Sequence, residues 1–143
     1  MSNPLRVATG APMVVDSSIA FKWFDTSESG AAIAGDLLDA HRRDDVALLA
    51  PAHLPLEVVN AYVCRGGVVS NTVGVVADLA AMDLLIAPVD EALLIAAVRI
   101  AEAEHLALYD AVFIALAAAL DAELVTADRR QAETRSCRVR FVE

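Results

Sequence analysis

Four acidic side chains stand at equivalent points of the hydrophobic pattern. Asp16 follows the apolar run Met13-Val14-Val15, Glu57 and Asp110 fall in the first turns of two amphipathic segments, and Asp128 comes just beyond Leu124-Val125-Thr126. Open α/β folds place their chemistry at such strand ends. Each position also has an ordinary explanation. An aspartate after a strand caps the next helix, with Ser17 and Ser18 as rival caps here, and a carboxylate in a first helical turn is favoured by the helix dipole. The recurrence is what carries information. In a parallel sheet the strand C-termini and the N-termini of the following helices share one edge, so all four acids can converge on one cleft. Carboxylates crowded together raise one another's pKa unless a cation neutralises them. Hard oxygen donors with no cysteine or histidine nearby point to Mg²⁺ or Mn²⁺, which can activate a water and stabilise charge developing on a scissile phosphate. Ser17, Asn60 and Thr126 are near enough in sequence to orient a ligand or the substrate.

The elements that must position these groups follow from periodicity and punctuation. Residues 1–11 read as an irregular leader ahead of a single domain over 12–143. Residues 13–15 read as the first strand and 19–23 as a short helical turn carrying Phe21 and Trp23, with Phe24 just beyond. That aromatic cluster either packs inside or offers an apolar patch to a partner or second subunit. A helix follows over 30–42, a strand over 46–50 stopped by Pro51, and a helix from Pro55 to about residue 64, where Glu57 and Asn60 share a face. Slack is expected at Gly66 and Gly67, then a helix over 71–82, a strand over 84–87, and a long helix over 91–104 capped by Asp90. His105 reads as a surface or cap residue. A helix over 108–120, a strand over 123–126, a polar loop holding Arg129, Arg130 and Arg135, and an edge strand over 138–142 complete the chain. Strands separated by helices throughout predict a three-layer α/β/α fold with a mostly parallel sheet.

Bulk properties bound the partners. The chain has 143 residues, 57% hydrophobic and 22% charged, which excludes disorder and suits one domain. Its net charge is −9, from 20 acids against 11 bases, and Lys22 is the sole lysine. Broad non-specific nucleic-acid binding by a basic face is therefore not expected, because that affinity scales with the phosphates neutralised. Metal held by carboxylates plus a few arginines still permits a nucleic-acid substrate. Cys64 and Cys137 form no disulfide framework or zinc motif and suit a reduced, cytoplasmic setting; no signal peptide or membrane span is expected.

The motifs in order resemble a family. Val14-Val15-Asp16-Ser17-Ser18, Pro55-Leu56-Glu57-Val58-Val59-Asn60, the run from Leu108-Tyr109-Asp110 to Ala117, and Leu124-Val125-Thr126-Ala127-Asp128-Arg129-Arg130 are similar to the successive motifs of PIN-domain ribonucleases, above all the VapC toxins of type II toxin-antitoxin pairs. The resemblance spans residues 13–141. It implies a PIN-like five-stranded sheet in the order 3-2-1-4-5, with Asp16, Glu57, Asp110 and Asp128 as catalytic metal ligands and Thr126 as a supporting hydroxyl. It further implies Mg²⁺- or Mn²⁺-dependent cleavage of RNA, a homodimer, and a small DNA-binding antitoxin as partner. Arg129 and Arg130 are the candidate RNA contacts. The leader and the scarcity of bases depart from the family pattern. Two other classes compete. A receiver or phosphatase-like domain also uses acids at strand ends, but a receiver wants a lysine after a late strand, where this chain has Asp128. A non-catalytic PIN-like interaction domain commonly loses acids that this chain keeps.

Overall fold

The buried run at residues 13–15 is the inner part of a longer strand, β1 (Ala11–Val15), whose first two residues are exposed. The structure, a computed structural model, describes residues 10–65 and 71–143. Ala11 therefore belongs to the sheet and not to a leader; residues 1–9, and the expected slack at Gly66 and Gly67, lie outside the described residues. Pro12 is tolerated in a central strand because it sits at the exposed start, before pairing with the second neighbour begins at Met13.

From β1 the chain runs through α1 (Ser17–Phe24), α2 (Ala31–Arg42), β2 (Val46–Pro51), α3 (Leu54–Arg65), α4 (Thr72–Ala81), β3 (Leu85–Ala87), α5 (Glu91–Glu104), α6 (Leu108–Ala119), β4 (Glu123–Thr126), α7 (Arg129–Ala132) and β5 (Val139–Phe141). All four strand pairings are parallel, and the order is β3-β2-β1-β4-β5. This is the three-layer α/β/α architecture with a five-stranded parallel sheet. Helix α1 packs on both α2 and α3, and α3 on α4, while α5 packs along α6 and α6 lies on β1, β2 and β4. In α6 every residue from Ala111 to Ala117 is buried, as expected of a helix that is apolar all round. Phe113 and Ile114 are among the largest fully buried side chains.

Several boundaries and contacts differ from the sequence expectation. The turn expected at 19–23 is an eight-residue helix, because Asp16 caps it and Ser17 and Ser18 lie inside it. Phe21, Trp23 and Phe24 are partly buried against the core. Both phenylalanines meet the Tyr62 ring edge-on at about 6 Å, and Trp23 Nε1 donates to the Ala34 carbonyl at 2.9 Å. Part of their area is thus used between α1, α2 and α3. Arg129 and Arg130 lie on a short helix, α7, where a loop was expected, because Asp128 accepts from the N–H groups of Arg130 and Gln131. His105 is indeed a cap: it closes α5 in the left-handed region at φ 56. No helix among the described residues is long and apolar enough to cross a membrane.

Candidate active site

Sheet register explains the centre of the site. Val15 pairs with Val125, so the next residues of the two strands, Asp16 and Thr126, emerge side by side. Thr126 Oγ1 donates to Asp16 Oδ2 at 2.5 Å, while Ser18 Oγ at 2.5 Å and the Ile19 N–H at 3.3 Å donate to Oδ1. Asp16 is therefore both a helix cap and a buried carboxylate, 3% exposed. Burial pushes its pKa up to about 6; the hydrogen bonds from Ser18, Thr126 and Ile19 hold it down and the charge of Asp128 adds to the rise. Ser18 Oγ also accepts the Ala127 N–H at 2.8 Å, and Thr126 Oγ1 the Asp128 N–H at 3.0 Å. One hydrogen-bonded set thus ties the end of β1 to the end of β4.

The other acids arrive from separate elements. Glu57 comes from the first turn of α3, Asp110 from the first turn of α6, and Asp128 from the cap of α7. All four acids line one pocket of about 150 Å³, together with Ser17 and Gln131. Asp110 is half-buried, and its pKa is raised first by that burial and then by the charges of Asp128 and Glu57, against the lowering pull of Arg130 and His53. The acids therefore feel one another's charge.

Ser17 Oγ is the only buried side-chain polar atom among the described residues that has no hydrogen-bond partner, and Ser17 lines the same pocket. An unpaired buried hydroxyl is costly unless something outside the chain completes it. Carboxylate oxygens and a hydroxyl are also the donors a hard divalent cation takes. Among the described residues, no three histidine, cysteine or acidic side chains stand close enough together to hold an ion as they are placed. The donor chemistry thus fits Mg²⁺ or Mn²⁺, while the carboxylates are gathered around the pocket and not drawn in to ligand distances.

Three further expected residues are only partly brought in. Asn60 shares Glu57's helix but lines the neighbouring pocket. Arg129 is turned to the edge strand, 3.4 Å from Glu143 and 5.3 Å from the centre of the Phe141 ring. Arg130 stays within the field of Asp110, and its Nη2 donates to the His105 carbonyl at 2.8 Å. The sole lysine is withdrawn altogether: Lys22 is buried, paired with Glu28 at 3.0 Å and bonded to the Ser29 carbonyl.

Comparison with known proteins decides the family. The profile of the PIN domain matches residues 13–136, almost the whole of the described fold. The chain belongs to the PIN-domain family. Among solved structures it is similar to VapBC2 from Rickettsia felis bound to a DNA fragment from their promoter, with a TM-score of 0.68, 12% identity, and 92% of this chain and 99% of that one covered. It is also similar to PAE2754 from Pyrobaculum aerophilum, with a TM-score of 0.65, 21% identity, and 94% and 88% of the two chains covered. At those identities the likeness is one of fold. No curated protein matches the chain.

Two polar residues of this PIN domain site escape the sequence reading. Gln131, 2% exposed, donates from Nε2 to the Asp110 carbonyl at 2.9 Å, and its Oε1 lies 3.2 Å from Thr126 Oγ1. It is a strut between α6 and β4. The spacing Asp128-x-x-Gln131 is the signal that could have found it, since a cap residue followed three positions later by Gln marks a helix start. His53 places Nε2 3.9 Å from Glu57 Oε2 and 3.1 Å from the Tyr109 carbonyl, and its ring packs 4.7 Å from that of Phe113. A histidine does therefore stand beside the acids, four positions before Glu57. Replacing Gln131 by leucine keeps most of the volume and removes both polar contacts. The Gln131→Leu protein is expected to lose about 1–3 kcal/mol of stability in urea unfolding. Unchanged stability would show that the amide is no strut.

Proposed function

We propose that the protein is a Mg²⁺- or Mn²⁺-dependent endoribonuclease and the toxin of a toxin-antitoxin pair. The observation that supports this best is the meeting of four acids from four separate elements in one pocket of a PIN domain, beside an unpartnered buried hydroxyl. Asp16, Glu57, Asp110 and Asp128 would hold the ion. Bound there, it would supply positive charge for the scissile phosphate and lower the pKa of an attacking water. The chain's own residues do the rest. Thr126 and Ser18 fix the Asp16 carboxylate, Gln131 anchors the first turn of α6 that carries Asp110, and Ser17 offers its hydroxyl to whatever enters the pocket. Arg130, beside Asp110, is the better placed of the two arginines to meet a phosphate; Arg129 must first leave Glu143.

RNA is favoured as substrate by the family resemblance of the motifs, and a small antitoxin as partner by the same resemblance. The Rickettsia felis assembly, toxin-type fold and promoter DNA together, adds support for a partner that brings DNA to the complex. A homodimer would join two acidic clefts and their flanking arginines into a longer groove, easing the shortage of positive charge. The experiment is a calorimetric titration with Mn²⁺. The wild-type protein should give a binding heat that Asp16→Asn largely removes, and equal heats from both proteins would count against this acid as a ligand.

A further inference from the structure

Beside the acidic pocket lies a second one of about 450 Å³, lined by His53, Leu56, Glu57, Asn60 and Tyr109. Glu57 lines both, so the two pockets are neighbours across that side chain. We infer that this second pocket takes a nucleobase of the RNA strand, the one next to the phosphate held at the acids. The inference rests on the nuclease reading and extends it to base selection.

The occupant follows from the lining. No lysine or arginine contributes, and the Glu57 carboxylate repels a phosphate and tolerates a neutral base. Tyr109 immediately precedes Asp110 in α6, so a base on its ring is one step along the chain from the acid cluster. Tyr109 is 68% exposed. It is steadied on one side by the His53 ring, 5.9 Å away and tilted by 44°, while His53 holds the Tyr109 carbonyl. A fixed, exposed aromatic face is what single-stranded RNA stacks on, with little regard to sequence. Leu56, 73% exposed, supplies apolar area on the opposite element. Selection needs a polar group, and Asn60 provides one. Its side chain is on the Glu57 face of α3, and among the described residues its carbonyl oxygen is engaged only by the weak thiol donor of Cys64 at 3.7 Å. An amide presents one acceptor and two donors, enough to read a base edge.

The test uses fluorescence anisotropy of labelled single-stranded homopolymers of A, C, G and U with the metal-free protein in EDTA at low salt, followed by Mn²⁺-dependent cleavage of the same RNAs. Tyr109→Ala should weaken binding of every homopolymer about tenfold or more, while Tyr109→Phe keeps wild-type affinity. Asn60→Ala should flatten the preference among bases and leave the poorest ligand's affinity unchanged. A wild-type protein that cleaves RNA, with Tyr109→Ala and Asn60→Ala matching it in affinity and base preference, overturns the base pocket and leaves the nuclease intact. A wild-type protein that neither binds nor cuts RNA overturns both. Unaltered RNA binding with a lower mass of Tyr109→Ala in light scattering assigns the face to contact between copies and likewise overturns the base pocket.

Discussion

Asp110→Asn protein is expected to fold as the parent does and to cut RNA at least ~100-fold more slowly, the scale of losing one major electrostatic contribution in an active site. Its position in the first turn of α6 would suit an ordinary surface carboxylate, which the helix dipole favours. The surroundings point elsewhere. Asp110 is half-buried, its pKa is raised by burial and by Asp128 and Glu57, and it shares a pocket with three other acids. Asparagine keeps the shape and removes one negative ligand. The metal-free fold loses nothing by the change, since like-charge repulsion is relieved. Circular dichroism checks folding, and Mn²⁺-dependent cleavage checks activity. A folded variant cutting the same bonds at the parent rate would remove Asp110 from the site.

Asp16→Asn should change both stability and its pH dependence. The folded-state pKa of about 6 lies above the ordinary value of 3.8, so the fold favours the protonated acid. The corresponding stabilisation is fully present below pH ~3.8 and is lost as pH rises through ~6. A displacement of that size corresponds to about 3 kcal/mol as an order of magnitude. In EDTA, the wild-type protein should therefore fall behind Asp16→Asn as pH is raised from 4 to 7, by roughly 2–3 kcal/mol in urea unfolding. Asparagine can serve the network: its amide nitrogen can donate to Thr126 Oγ1, freeing that hydroxyl for Gln131 Oε1 at 3.2 Å. Asp110 titrates in the same direction in both proteins, so the difference between them isolates Asp16. Parallel pH profiles would show that burial does not penalise its charge.

The strands and the acids were legible because each announces itself locally. Short apolar runs ending at a polar residue or proline marked every strand to within a residue or two, and the acids stood just beyond a strand or in the first turn of a helix. Strand order was not legible from periodicity; it came with the motif resemblance. What the pattern could not carry is contact between distant elements. Phe21, Trp23 and Phe24 looked available for a partner because nothing in their own segment reveals Tyr62 or the Ala34 carbonyl. Asn60 shows the opposite error. Its spacing from Glu57 does put both on one helical face, yet one turn along α3 is far enough to move it into the adjoining pocket. Gln131 was passed over because four residues are too few to show a helical period, and its role depends on Thr126 and Asp110 arriving from two other elements.

The central claim is that the acids gathered at the strand ends cut RNA with a divalent ion. The direct measurement is sequencing of the 5′ ends that appear when purified protein meets total cellular RNA with Mn²⁺, alongside the same reaction in EDTA and with Asp110→Asn protein. The account predicts new 5′ ends at discrete positions with wild-type protein and Mn²⁺, and their loss in both controls. The same ends, formed at the same rate by Asp110→Asn or in EDTA, would contradict it.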